Sequence, residues 1–223
     1  MVIAGASALV AKPPKPTLRG VSHQAAFFAA IVATAALALR APSARAAVAS
    51  AVYGASLTAL FGISALYHRP HWSPAKRQIM RRLDHSAIFL LIAGTYTPLF
   101  ALLDDPSLHY RPLWIVWIGA VIGIGKSMLW PHAPKWITAA LCVLLGWAAV
   151  GDVVRLAPVM GALSTWLLVV GGLIYSIGAV VYAKKRPDPI PRVFGYHEVF
   201  HALVILASVC HFVSVAHIVS LSR

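Results

Sequence analysis

Residues 159–183 read VMGALSTWLLVVGGLIYSIGAVVYA, and this stretch contains no charged side chain. A transmembrane helix needs roughly 20 mostly apolar residues, so the stretch is long enough to cross a bilayer. The rest of the chain has the same character, since 60% of its 223 residues are hydrophobic and only 11% are charged. Soluble domains are roughly 45–50% apolar. The composition therefore predicts an integral membrane protein.

Six further segments of similar composition bring the number of predicted transmembrane helices to seven. Charged residues, proline or glycine bound each segment, and the loops between segments are short. We expect an all-α fold, a seven-helix transmembrane bundle that forms a single domain over 22–223 and follows an N-terminal arm over 1–21. The predicted helices cover residues 22–40, 47–67, 83–103, 113–130, 134–151, 159–183 and 196–219.

The distribution of lysine and arginine predicts the orientation, because cytoplasmic loops are rich in these residues. They are concentrated in the arm and in the second and sixth loops, whereas the third loop contains Asp104 and Asp105. Arg40 and Arg45 are the main exceptions, because the first loop is external in this topology. We expect a cytoplasmic N-terminus and an external C-terminus, in the inner membrane of a bacterium. The supporting basic residues are Lys12, Lys15, Arg19, Arg69, Lys76, Arg77, Arg81, Arg82, Lys184, Lys185, Arg186 and Arg192.

The first apolar segment has a second interpretation. Residues 24–39, followed by APSARAA, resemble a signal peptide with a small-residue cleavage site. The arginine just before that site and the long basic arm are unusual for a signal peptide, so we favour a retained helix. Cleavage would leave six transmembrane helices.

The net charge of +13 raises the question of nucleic-acid binding. The basic residues fall mostly in predicted cytoplasmic loops, where they would meet anionic lipids of the inner leaflet. We therefore expect a membrane-lipid partner and no nucleic-acid partner, while the oligomeric state stays open. Cys142 and Cys210 lie inside predicted helices and are interpreted as buried structural thiols.

Polar residues that the topology places at one depth predict a site near the cytoplasmic surface. His68 ends the second helix with Ser64 one turn before it, Asp84 begins the third helix, and His197 and His201 begin the seventh. Residues four apart project from one face of a helix, so each pair can point into a shared interior. Ionisable residues inside membrane helices are costly to bury and are functional candidates for that reason.

Three histidines can hold zinc and leave one tetrahedral position for water, which is the arrangement of a catalytic site. Zinc activates such a water for nucleophilic attack near neutral pH. We interpret His68, His197 and His201 as the metal ligands, Asp84 as the base and Ser64 as a hydrogen-bond donor to the water or to a carbonyl oxygen.

The stretch HEVFH (197–201) also matches the H-E-x-x-H pattern of zinc proteases. A further histidine six residues after His201 would extend the pattern, but position 207 is alanine, and His211 lies roughly 15 Å along the helix. Asp84 could act as a distant third ligand, and Glu198 could act as the base. An intramembrane metalloprotease therefore stays open as a minor alternative.

Three ordered motifs, SALYH (64–68), LDHSAIFLLIAGTYTP (83–98) and GYHEVFH (195–201), resemble the signature of the hemolysin III family. That family is related to progestin and adiponectin receptors and, more distantly, to alkaline ceramidases. The resemblance implies an intramembrane zinc near the cytoplasmic face, bound by His68, His197 and His201, with Ser64 and Asp84 beside the bound water. It implies no role for Glu198 at the metal, so we interpret this residue as a helix-start acid stabilised by the helix dipole.

The sequence and the resemblance together predict a zinc-dependent, ceramidase-like intramembrane hydrolase of a lipid amide or ester. The alternative is a membrane protein without enzymatic activity, either a pore-forming hemolysin or a receptor, in which zinc is structural. His71 and His85 are close to the site in sequence but are not expected to bind the metal, and His211 and His217 are expected to pack within the bundle.

Overall fold

Seven α-helices make up the fold in the computed structural model, which describes residues 15–103 and 110–222. Lys12, Asp104 and Asp105, which entered the prediction of orientation, lie outside the described residues. The all-helical prediction is confirmed, and most helix boundaries agree with it closely. The helices are α1 (Val21–Leu39), α2 (Ala44–His68), α3 (Pro74–Leu102), α4 (Arg111–Leu129), α5 (Lys135–Trp147), α6 (Val150–Lys184) and α7 (Tyr196–Leu221).

The second loop is shorter than predicted, because α3 begins at Pro74 rather than near residue 83. Proline is favoured in the first turn of a helix, where its missing N–H would have no helical partner. Four of the basic residues assigned to that loop therefore lie on the first turns of α3, namely Lys76, Arg77, Arg81 and Arg82.

The fifth and sixth predicted helices are divided differently in the structure. The prediction placed the break at 152–158, around Pro158, but those residues are helical and the break lies at Gly161. Gly161 has φ 78° and ψ 159°, in a region that essentially only glycine occupies. Hydropathy cannot reveal this break because the residues on both sides of Gly161 are apolar.

Six helices are long and apolar enough to span a membrane, whereas α5 has only 13 residues. A helix of that length is ~20 Å long, less than the ~30 Å hydrocarbon core. The chain continues beyond it across the bundle: the Lys135 amine donates to the Tyr196 hydroxyl at one end (2.9 Å), and Asp152 accepts from Arg111 at the other (3.4 Å). The fifth crossing therefore includes the first residues of α6, and the chain turns back at Gly161.

The two ends of the bundle differ in chemistry. His23, His68 and His197 lie at one end, which we call the histidine end, whereas Arg111, Ser164 and His217 lie at the other. Between them α2 packs against α1 and α3, and α7 packs against α6 and contacts α1, α2 and α3. The central position of α2 and α7 brings their histidines to the same place.

We expect Gly161→Ala to lower the free energy of unfolding by about 1–3 kcal/mol, because alanine would have to adopt the glycine-only conformation of the α6 break. The measurement is denaturant unfolding of the purified protein in detergent.

Gly151→Ala is the matched control. Gly151 lies in α6 with ordinary helical geometry, and an added Cβ would meet nothing within 4 Å. This substitution should leave stability unchanged or raise it by up to about 1 kcal/mol. Equal effects of the two substitutions would contradict the assignment of the break.

Candidate metal centre

Three buried imidazoles meet at the histidine end, one from α2 and two from α7. His68, His197 and His201 are 7%, 8% and 1% exposed, and their candidate ligand nitrogens all lie within 4.8 Å of one another. The last residue of α2 supplies His68, and the first two turns of α7 supply the other two. The structure thus brings together the three residues that the sequence predicted as ligands.

The spacing between one pair of these nitrogens, on His68 and His197, fits two ligands of a single metal ion. Nε2 of His68 lies 3.1 Å from Nε2 of His197. Zinc binds histidine nitrogen at roughly 2.0–2.1 Å, so two nitrogens on one tetrahedral ion are separated by roughly 3.3 Å. Imidazole ligands suit several transition metals, so the histidines alone do not identify the ion.

The two predicted polar residues lie beside the histidines. Ser64 is buried one turn before His68, and the Asp84 carboxyl faces its hydroxyl from α3. Ser64, Asp84, His197 and His201 all line the same cavity. The packing of α2 against α3 is close at the level of Gly94, where an added Cβ would lie 2.1 Å from the Ser56 hydroxyl oxygen.

Glu198, the middle residue of the H-E-x-x-H pattern, takes part in structural contacts at the start of α7. One carboxylate oxygen accepts from the Gly195 backbone N–H at 2.9 Å, and the other pairs with the Arg19 guanidinium. Both oxygens are therefore occupied. The described part of the arm also donates backbone hydrogen bonds from Thr17 and Leu18 to the α6–α7 loop.

A narrow cavity of about 170 Å³ extends from the histidines into the bundle. On α3 its lining runs from Asp84 to Leu99, which corresponds to ~22 Å along the helix. Beyond the histidine end the walls are mainly aliphatic and aromatic. An apolar cavity of ~150 Å³ is large enough to bind benzene, so this one has room for hydrocarbon. The apolar lining includes Leu91, Val143, Val153, Leu168 and Phe200.

The chain matches a described protein family over most of its length. The model of the family described as "Haemolysin-III related" matches residues 11–212. The chain belongs to the hemolysin III family. It is 34% identical to Hemolysin-3 of Bacillus cereus over 76% of this chain and 74% of the relative. It is 30% identical to the Hemolysin-3 homolog of Bacillus subtilis over 72% of each protein.

The family extends to animal proteins. The chain is 25% identical to the human monocyte to macrophage differentiation factor over 74% of this chain and 67% of the relative. It is also 29% identical to the adiponectin receptor protein of Drosophila melanogaster, over 60% of this chain and 34% of that receptor. The predicted relationship to adiponectin receptors is confirmed, and the chain is an integral membrane protein of this family.

His23, at the first turn of α1, also lies at the site and was not among the predicted site residues. Its ring is stacked on His201 with centroids 3.8 Å apart and an interplanar angle of 9°. Its Nδ1 lies 2.9 Å from the Ser64 hydroxyl oxygen. The signal was present, because a histidine at the start of the first helix falls at the same predicted depth as His68 and Asp84.

The other histidines of the described residues lie outside the cluster of three. His85 lines the cavity and its Nε2 is 3.4 Å from the Tyr182 hydroxyl, while His71 is exposed in the loop before α3. Nε2 of His211 is 3.1 Å from the Leu168 carbonyl, and Nδ1 of His217 is 2.7 Å from the Ser164 hydroxyl. These contacts agree with the predicted packing roles of His211 and His217.

We expect His201→Ala to weaken binding of a divalent transition metal by at least about 100-fold, since even outer residues of metal sites contribute 10–100-fold. His211→Ala, which removes a buried histidine from the same helix, should retain the metal. Metal analysis of both purified variants by mass spectrometry measures the difference. Equal metal content would contradict the assignment of the site.

Proposed function

We propose that this protein is a zinc-dependent intramembrane hydrolase that cleaves a lipid amide or ester. The observation that supports it best is the position of the cavity, which joins His197, His201, Ser64 and Asp84 to a long apolar interior. Reactive groups at one end and a hydrocarbon-sized space at the other suit an amphiphilic substrate.

The metal would be held by His68, His197 and His201, whose candidate ligand nitrogens lie within 4.8 Å of one another, with the His68–His197 pair at 3.1 Å. A bound zinc ion would supply Lewis acidity for a carbonyl oxygen and for water. Among the described residues, neither a carboxylate nor a fourth histidine belongs to this group of three. This donor set leaves one coordination position for substrate or water, as catalytic zinc sites do.

Asp84 would act first as the base and then as the acid of the reaction. It accepts a proton from the attacking water, whose oxygen forms a bond to the carbonyl carbon of the substrate. The bond from that carbon to the amide nitrogen or ester oxygen then breaks. Protonated Asp84 returns its proton to the leaving group, so a carboxylic acid and an amine or alcohol are released.

Ser64 is placed to stabilise the negative charge that develops on the carbonyl oxygen. Its hydroxyl is buried on α2, one turn from His68, and faces the cavity. Hydrogen-bond donors in a water-poor environment stabilise an oxyanion strongly, because little solvent screens the interaction. The cavity beyond it would hold the acyl chain.

The basic residues at the histidine end support binding at a membrane surface that carries anionic lipids. Burial, followed by the charges of Arg77 and Arg19, lowers the pKa of Lys15, which shows how closely the cations are grouped. Anionic head groups would relieve this repulsion. Together with the bacterial relatives, this charge supports the inner membrane of a bacterium, with the histidine end in the cytoplasm and a membrane lipid as substrate.

Lipid turnover tests the proposal directly. With zinc-loaded protein and a panel of N-acyl sphingoid bases, other N-acyl amides and acylglycerols, Asp84→Asn should lower turnover about 10²–10⁴-fold by removing the base. Ser64→Ala should lower it about 10²–10³-fold by removing a donor to the oxyanion. Both variants should keep their zinc. Wild-type protein that binds no zinc would refute the proposal, and zinc binding without turnover on the panel would favour a receptor or lysin.

Glu198→Gln separates a structural role of Glu198 from the protease-like use of its carboxylate as the base. Because Glu198 pairs with Arg19 and caps α7, its neutralisation should lower the free energy of unfolding by about 1.5–3 kcal/mol. Zinc content and lipid turnover below the unfolding temperature should be retained. Zinc-loaded Glu198→Gln that stays folded yet loses all turnover would instead favour the protease-like use of this carboxylate.

A further inference from the structure

His23 connects α1 to both parts of the candidate site. It is 2% exposed, its ring lies flat against His201, and its Nδ1 is in hydrogen-bond contact with Ser64. One side chain therefore touches a predicted metal ligand on α7 and a predicted polar partner on α2. It also lines the cavity. It is not one of the three histidines whose nitrogens are grouped for a metal.

We propose that His23 is a positioning residue of the metal site, holding the His201 ring by stacking and orienting the Ser64 hydroxyl by a hydrogen bond. The inference rests on the proposed function to the extent that His68, His197 and His201 bind a metal. Residues behind metal ligands commonly fix the rotation of the ligand ring, and their loss costs about 10–100-fold in affinity or activity. Packing that locks a ligand rotamer has the same effect.

The stacking restricts the rotation of His201. The two rings are nearly parallel, at 9° and 3.8 Å, so a change in the ring angle of His201 would push it into His23. His201 has few other restraints of this kind, because its Nδ1 has no hydrogen-bond partner in the described chain. In metal sites the second nitrogen of a ligand histidine usually donates to a carboxylate or carbonyl, which sets the ring orientation. Contact with the His23 ring replaces that restraint here.

The hydrogen bond between His23 and Ser64 orients the Ser64 hydroxyl proton. A serine hydroxyl has one proton to donate and can accept from other donors. An ionised Asp84 only accepts, so the Ser64 proton can point to Asp84 or to the substrate if Ser64 accepts from His23 Nδ1–H. His23 thus keeps the Ser64 proton available for the reaction. This assignment leaves His23 Nε2 as a buried acceptor, and it has no hydrogen-bond partner in the described chain.

The bundle contains a matched histidine–serine pair that can serve as a control. Nδ1 of His217 lies 2.7 Å from the Ser164 hydroxyl, and the pair joins α7 to α6 at the opposite end. Both pairs connect two helices through the same two atoms. Only His23 contacts the candidate metal centre. A purely structural role for His23 would make the two histidines equivalent.

The first experiment measures the affinity for Zn²⁺ by competition with a chelator, using the full-length protein in detergent. His23→Ala should bind Zn²⁺ about 10–100-fold more weakly than wild type, whereas His217→Ala should be unchanged within about twofold. His23→Phe retains a flat ring against His201 and should recover most of the affinity. The absorption spectrum of the Co²⁺-loaded protein should change in His23→Ala and remain as in wild type in His217→Ala.

The second experiment tests the link to Ser64. His23→Phe keeps the stacked ring but loses the hydrogen bond, so it should lower lipid turnover while zinc remains bound. Combined with Ser64→Ala, it should add little further loss, because both substitutions remove the same contact. Additive losses would overturn the proposed action through Ser64.

The outcomes separate this inference from the proposed function. Wild-type protein without zinc affinity would refute the proposed function itself. Zinc-binding wild type with equal affinities and spectra in His23→Ala and His217→Ala would overturn only the role of His23. If His23→Ala does not fold, His23→Gln replaces it, since glutamine keeps an amide near Ser64 without a ring. It should then bind Zn²⁺ more weakly than His23→Phe, and equal affinity would overturn the stacking role.

Discussion

The contact between His68 and His197 is the constraint on which the rest of the structure depends. It joins two residues 129 positions apart, with their Nε2 atoms 3.1 Å from each other inside a bundle that is otherwise mostly apolar. A buried polar nitrogen is costly unless it has a partner, and an environment poor in water makes this cost larger. The end of α2 and the start of α7 must therefore lie at the same depth and face each other. A metal ion shared with His201 would satisfy all three rings at once.

Several contacts help to hold the end of α2 close to the start of α7. The Arg19–Glu198 ion pair connects the arm before α1 to the first turn of α7, and Gly20 lets that arm pass close to His68. Gly20 has φ +80°, and an added Cβ would be 2.8 Å from the His68 Cβ. The glutamate that completes the protease-like pattern is thus an anchor for the helix that carries the histidines. The same four-residue spacing appears in zinc proteases because any helix presents residues i and i+4 on one face.

The sequence predicted the parts of this structure that depend on composition and on depth. Apolar segment length predicted the helices, and the positions of His68, Asp84, His197 and His201 within them predicted that these residues meet. The break at Gly161 was not predictable, because a backbone conformation leaves no mark on hydropathy. The basic residues of the second loop were misplaced for a related reason: charge interrupts an apolar pattern but does not end a helix, so α3 begins at Pro74. The cavity depends on side-chain packing among α3, α5, α6 and α7, which no periodicity encodes.

His23 lies at the same predicted depth as the other site residues, yet depth alone does not single it out. Depth requires only that a residue lie at the predicted cytoplasmic end of a helix, and His23 meets that condition as His68 and His197 do. Unlike His68 and His197, it belongs to no spaced pair of polar residues within a predicted helix. A histidine alone at a helix start has many ordinary explanations, and the sequence does not show which way α1 turns it. The depth of a residue in the membrane limits which side chains can come into contact. The rotation of each helix about its axis, which packing determines, decides which of them are in contact. In a membrane bundle the depth of a residue can be predicted from a single sequence, whereas the rotation of its helix requires the structure.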